Sequence, residues 1–144
     1  KAYDDAADDY ASAFWNEIEL KNLDCILLKW LSQQVPPAEA ILEIGSGPGE
    51  VSGYLSRYHS NCLGTDLSSQ MIRNAKKYFP EVRFEVQDFY KLGYPDSIFA
   101  AVVAFYAIVN LTPDEIENVF IEARRVLKSK GIFLFFRSLS FLRP

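Results

Sequence analysis

The segment Ile41-Leu-Glu-Ile-Gly-Ser-Gly-Pro-Gly-Glu50 constrains this chain more than any other. A short apolar run ends in glycines at alternate positions, Gly45, Gly47 and Gly49, and a helical pattern follows. Glycine permits a tight turn and, lacking a side chain, lets a ligand approach the backbone. The helix behind it presents unpaired amide hydrogens at its start. Strand, bare loop and helix in that order point to an α/β sheet with a ligand crevice at its carboxyl edge.

The rest of the chain supports that reading. Residues 1–35 read as helical, with Phe14, Ile18, Leu23, Ile26, Leu27, Trp30 and Leu31 at three-to-four spacing, until Pro36 and Pro37 stop the pattern. Strands are expected at Ala40–Ile44, Cys62–Thr65, Val82–Gln87, Phe99–Phe105 and Ile132–Phe136. Between them fall helices at Gly49–Tyr58, Ser69–Phe79 (N-capped by Ser68) and Pro113–Leu127. The last carries a capping box, with Thr112 at the cap, Pro113 at the first position and Glu115 opposite. Repeated strand-helix units imply a doubly wound, mostly parallel sheet with helices on both faces. Continuously apolar strands such as Ile132–Phe136 suit burial from two sides. We expect one domain over 1–144, with a helical N-terminal part (1–37) and an α/β core (38–137).

Composition narrows the function. Formal net charge is −4, and residues 1–9, which hold Lys1, Asp4, Asp5, Asp8 and Asp9, account for −3 of it. The body is near neutral and has no basic stripe, so nucleic acid is not an expected partner. Cys25 and Cys62 are too few for a disulfide scaffold, and with one histidine, His59, no metal site is expected. The longest apolar run, Ile98–Val109, is too short to span a bilayer, and no signal peptide is visible, so a cytoplasmic protein without membrane contact is expected. The first residue is not Met, which fits a trimmed chain.

Three acids then fall at the ends of three successive strands: Glu43, Asp66 and Asp88. In a 3-2-1 strand order their ends lie side by side, about 4.8 Å per strand. An acid after the second strand suits ribose hydroxyls. Asp88 can accept from the exocyclic amine of a base, and Glu43 can sit near a cation. Where a dinucleotide fingerprint has its third glycine, this chain has Glu50, whose carboxylate opposes a pyrophosphate. Together these features describe a positively charged nucleoside without phosphates.

These residues resemble class I S-adenosylmethionine-dependent methyltransferases of the small-molecule type. Glu43-Ile-Gly-Ser-Gly-Pro-Gly49 resembles the family's first motif. Gly64-Thr-Asp-Leu-Ser-Ser-Gln-Met71 resembles the second, and Phe84-Glu-Val-Gln-Asp-Phe89 the third. Phe105-Tyr-Ala-Ile-Val-Asn-Leu111 sits where the family closes the cofactor site, and Arg125–Gly131 resembles the approach to strand five. The resemblance implies S-adenosyl-L-methionine as cofactor. It puts the methionine moiety at Glu43, Gly45, Ser46, Gly47 and Gly49, the ribose at Asp66, and the adenine against Met71, Asp88 and Phe89, with Leu67 also among the cofactor-binding residues. Ala104 and Phe105 would line the site after strand four, and Tyr10, in an N-terminal helix resembling the family's lid, would reach the cofactor's carboxylate end. Tyr3, Phe105 and Tyr106 could face the sulfonium, since aromatic faces attract cations.

Two departures stand out. Where many relatives place a histidine this chain has Asn110, which is no general base; His59 reads as a helix-end residue, so no catalytic residue is assigned. The family's sheet has seven strands in the order 3-2-1-4-5-7-6, whereas this chain stops at Pro144, past strand five. We therefore expect an open edge at Ile132–Phe136, with self-association or truncation of a longer protein. No Asn/Asp-Pro-Pro-Tyr/Phe motif follows strand four, which by resemblance favours a small-molecule methyl acceptor. A cofactor-binding module without catalysis, or an NAD-dependent oxidoreductase, are the alternative readings.

Overall fold

A computed structural model describes residues 22–105 and 107–136. Tyr3, Tyr10, Phe14, Ile18 and Tyr106 lie outside the described residues. In chain order the elements are α1 (Asn22–Gln34), β1 (Ile41–Ile44), α2 (Glu50–Ser56), β2 (Cys62–Asp66), α3 (Ser69–Tyr78), β3 (Arg83–Val86), β4 (Phe99–Phe105), α4 (Pro113–Val126) and β5 (Leu127–Phe136). The five strands form one sheet in the order β3-β2-β1-β4-β5, and every pairing is parallel. This is the Rossmann-like arrangement expected from the strand-helix alternation.

Side-chain alternation along the strands sorts the core into two faces. Ile41, Ala101, Val103 and Phe105 pack with Leu28 and Leu31 of α1 and with Val51 and Leu55 of α2. Leu42, Ile44, Val102 and Ala104 turn the other way, onto Val119, Ala123 and Val126 of α4. Glu43, between Leu42 and Ile44, therefore points a carboxylate toward α2.

The caps are as expected. Ser68 accepts from the Met71 amide at 3.2 Å. Thr112 and Glu115 bond each other's amides, at 3.3 and 2.7 Å. Element lengths differ more. α2 ends at Ser56 rather than Tyr58, because the Arg57, Tyr58 and His59 amides turn back onto carbonyls of Tyr54 and Leu55. β5 runs from Leu127, so α4 passes into it without a loop. Its first stretch holds Lys128, Ser129 and Lys130, polar residues that an edge strand tolerates. A register irregularity between Phe99 and Ala101 on β4 accommodates that stretch.

One aromatic ring joins the outer strands to the glycine loop. A Cβ on Gly64 of β2 would meet the Phe84 ring at 2.5 Å, and one on Gly49 would meet it at 2.7 Å. Phe84, on β3, thus occupies the room that both glycines leave.

Arg125, near the end of α4, gathers the loop before β4. Its guanidinium donates to the carbonyls of Tyr94 (2.8 Å) and Leu92 (3.0 Å) and to the carboxylates of Asp96 (2.8 Å) and Glu122 (2.6 Å). Glu122 in turn accepts from the Leu92 amide at 2.8 Å.

Candidate functional site

Strand order reverses between β1 and β4, and this is where an open α/β sheet forms a ligand crevice. The loop from Gly45 to Gly49 lies at that point. Gly45 and Gly49 have φ of 65° and 95°, a left-handed region that other residues enter at a cost. Gly45 is also hemmed in, since a Cβ there would stand 2.4 Å from Cβ of Ala107. The sequence thus requires bare backbone here for two independent reasons.

Asp66 ties the loop to the second strand. Its Oδ2 accepts from the Gly47 amide at 2.9 Å, and its Oδ1 from the Ser68 amide at 2.8 Å. Behind it, the Ser46 amide donates to the Thr65 carbonyl at 2.8 Å, and the Thr65 hydroxyl donates to the Glu43 carbonyl at 2.8 Å.

Glu43 is 2% exposed, and its Oε2 accepts from both the Ser52 amide (3.0 Å) and the Ser52 hydroxyl. Burial pushes its pKa up to about 8, against the opposing pull of the Ser52 bonds; the negative charges of Glu50 and Asp66 push it further the same way. The Cys62 thiol, behind it on β2, is pushed up to about 12 by burial and by the Glu43 charge. The acids Glu50 and Asp66, close enough to disfavour the ionisation of Glu43, make a poor seat for a pyrophosphate and a better one for a cation.

The remaining expected site residues fall into four groups. Phe89 joins the loop: its Cε1 lies 4.0 Å from where a Gly45 Cβ would stand. Leu67 is 65% exposed after β2, while Met71 and Ser46 are buried. Asp88 is exposed and at present closes its own turn, with Oδ1 accepting from the Tyr90 amide at 2.9 Å. Ala104 and Phe105 belong to opposite faces of the core; Phe105 stacks on Phe136 with ring centroids 5.8 Å apart.

Ser52 was not among the residues singled out from the sequence. The signal for it is local: an acid on the apolar face of a strand needs a donor, and the first turn of the next helix supplies one. His59 lies at the far end of α2, where its Nε2–H donates to the Glu39 carbonyl at 2.7 Å. It borders a separate hollow of about 470 Å³, lined also by Ser32, Arg57 and Tyr58. Among the described residues no cluster of metal-ligating side chains occurs, and no helix is long and apolar enough to cross a membrane.

Comparison with known proteins agrees with this geometry. Residues 41–131 match the family model described as a methyltransferase domain. The chain belongs to that methyltransferase domain family. Its fold is that of the class I S-adenosylmethionine-dependent methyltransferases. It is similar to the uncharacterized methyltransferase YcgJ of Bacillus subtilis, with 30% identity over 65% of this chain and 38% of that protein. It is also similar to the sterol 24-C-methyltransferase ERG6B of Gibberella zeae, at 29% identity over 69% of this chain and 27% of the relative. Among solved structures, a TehB-like SAM-dependent methyltransferase from Corynebacterium glutamicum superposes with a TM-score of 0.70 at 29% identity, over 88% of this chain and 71% of that one. The methyltransferase domain described here thus spans less than half the length of the two curated relatives.

Proposed function

We propose that this methyltransferase domain binds S-adenosyl-L-methionine along the carboxyl edge of β1 and β2 and transfers its methyl group to a small-molecule acceptor. The observation that carries the reading is the bond from the Gly47 amide to Asp66, which fixes a bare-backbone loop beside a ribose-competent carboxylate. The residues fit the cofactor: a glycine cradle that a Cβ would fill, and acids that favour a cation over a diphosphate.

S-adenosylmethionine supplies a carbon already activated by its sulfonium. In this reading Asp66 and Leu67 hold the ribose, and Met71, Asp88 and Phe89 flank the adenine. Gly45, Ser46, Gly47 and Gly49 give backbone to the methionine end, facing Glu43, beside the end of β4 at Ala104 and Phe105. Tyr10, outside the described residues, is assigned by the family resemblance to the cofactor's carboxylate end. Holding the acceptor in line with the methyl carbon is the main task left to the protein, a contribution of roughly 7–11 kcal/mol where geometry is ideal.

The acceptor class rests on similarity to methyltransferases of small molecules, among them the sterol enzyme. The reading places the protein in a reducing cytoplasm, where Cys25 and Cys62, which form no disulfide, are maintained as thiols. It also includes association through the outermost strand, β5.

Calorimetric titration with S-adenosylmethionine and with its demethylated product tests the proposal. Both should bind, and Asp66→Ala should weaken each by about 1.5–3 kcal/mol. Tight NAD(H) binding with none for S-adenosylmethionine would overturn the reading. Binding without turnover over a broad acceptor panel would reduce it to a binding module.

A further inference from the structure

The turns that follow α1 and α2 lead into the amino ends of β1 and β2, at the edge of the sheet opposite the glycine loop. Residues of both turns line the hollow of about 470 Å³, a volume that suits a small organic molecule. His59 is among them and is 4% exposed. Its Nε2 stands 2.7 Å from the Glu39 carbonyl, which only accepts, so the ring hydrogen is on Nε2. In the neutral ring Nδ1 is then an acceptor. No described residue donates to Nδ1, yet among the described residues no enclosed side-chain nitrogen or oxygen goes without a partner. Nδ1 is therefore the side of the ring left open to the hollow. Ser32 and Ser56, also in the lining, offer the same chemistry. Their hydroxyls donate to the carbonyls of Lys29 (2.6 Å) and Gly53 (2.7 Å), so lone pairs alone remain. Charge is one-sided: Arg57 lines the hollow and no acidic residue does. Glu39, which meets His59 through its carbonyl, pairs its carboxylate with Lys128 at 3.3 Å.

We propose that this hollow is a second binding site, for a small hydroxylated organic anion. The ligand's hydroxyls donate to Nδ1 of His59 and to Oγ of Ser32 and Ser56. Its anionic group accepts from the Arg57 guanidinium, whose five N–H donors serve more than one partner. A plain carboxylate would leave the three acceptors unmet, and a neutral polyol would leave the positive charge unmet. α2, seven residues and roughly 10 Å long, runs from the glycine loop to this hollow, so the two sites are distinct. Binding here does not depend on which cofactor the glycine loop holds.

His59 is the only histidine in the chain, so its ring resonances identify themselves in a nuclear magnetic resonance spectrum. Titration of the full chain with three probes separates the two requirements: gluconate carries hydroxyls and charge, glucitol the hydroxyls alone, hexanoate the charge alone. Gluconate should shift the His59 ring saturably at roughly millimolar concentration, with the hydrogen kept on Nε2, and the other two should bind about tenfold more weakly. Arg57→Gln should bring gluconate down to the level of glucitol and leave glucitol unchanged. Ser60→Asp, at an exposed position of the lining, should do the same by repulsion. Saturating S-adenosylmethionine should not displace gluconate. The absence of a saturable shift with gluconate overturns the site. So does hexanoate or glucitol binding as well as gluconate, or gluconate binding undiminished in both variants. Displacement by S-adenosylmethionine would merge the two sites and overturn the proposal while leaving the cofactor reading standing; failure of S-adenosylmethionine to bind overturns that reading and not this site.

Discussion

Glu43 costs the free protein stability at neutral pH. Its folded pKa is raised to about 8, so the native state holds a proton that the unfolded chain gives up in the ordinary carboxylate range. The stabilisation from that proton is complete at low pH and is lost as pH rises toward 8. Denaturant unfolding of wild type and Glu43→Gln should therefore diverge between pH 5 and 8, with the variant gaining up to about 1.4 kcal/mol per pH unit. Parallel stability curves would show that the site is wetter than its burial implies. The bare glycine loop after β1 was legible in sequence, and so was the closeness of Glu43 and Asp66 at the ends of adjacent strands. That a serine nine residues on saturates one oxygen of Glu43 was not. It depends on how α2 sits over β1, which periodicity does not encode.

At the scale of elements, boundaries moved where an edge or a cap overrode the apolar pattern. β5 was legible only as its apolar half, Ile132–Phe136, since Lys128, Ser129 and Lys130 do not read as strand. The capping box of α4 was legible whole, because its two bonds join residues three apart. Arg125 was not, because its partners at Leu92, Tyr94 and Asp96 lie about thirty positions earlier. This guanidinium holds Glu122 below the usual carboxylate range and fastens the loop to α4. Arg125→Ala should cost about 2 kcal/mol in chemical denaturation, by stripping two carbonyls and Glu122 of a donor. Arg125→Lys should recover only part, since an ammonium cannot span that planar set. The Glu122 contribution fades as pH falls through its lowered pKa, so the wild-type advantage over Arg125→Ala should shrink in acid.

For the whole molecule, strand order and the two-faced core followed from the alternation of strands and helices, while the outer edge raises the question of assembly. Phe135 on β5 is 45% exposed and packs beside Phe120 and Phe133, with ring centroids 4.8 and 5.3 Å away. An exposed apolar edge invites pairing. Sedimentation velocity should show a concentration-dependent shift that Phe135→Lys abolishes; a single slow species at every concentration counts against it.

The ring of Phe84 has a different reach. Because it fills the space above both Gly49 and Gly64, volume at these three positions is shared. Gly64→Ala alone should be poorly tolerated, yet recover when combined with Phe84→Leu. Gly49→Ala should resist the same rescue, since trimming a neighbour relieves crowding but not a φ of 95°. Substitutions in the cradle and on an outer strand two positions away in the sheet are thereby bound into one inheritance: a lineage can exchange bulk between two of the three sites, but not the handedness of the third.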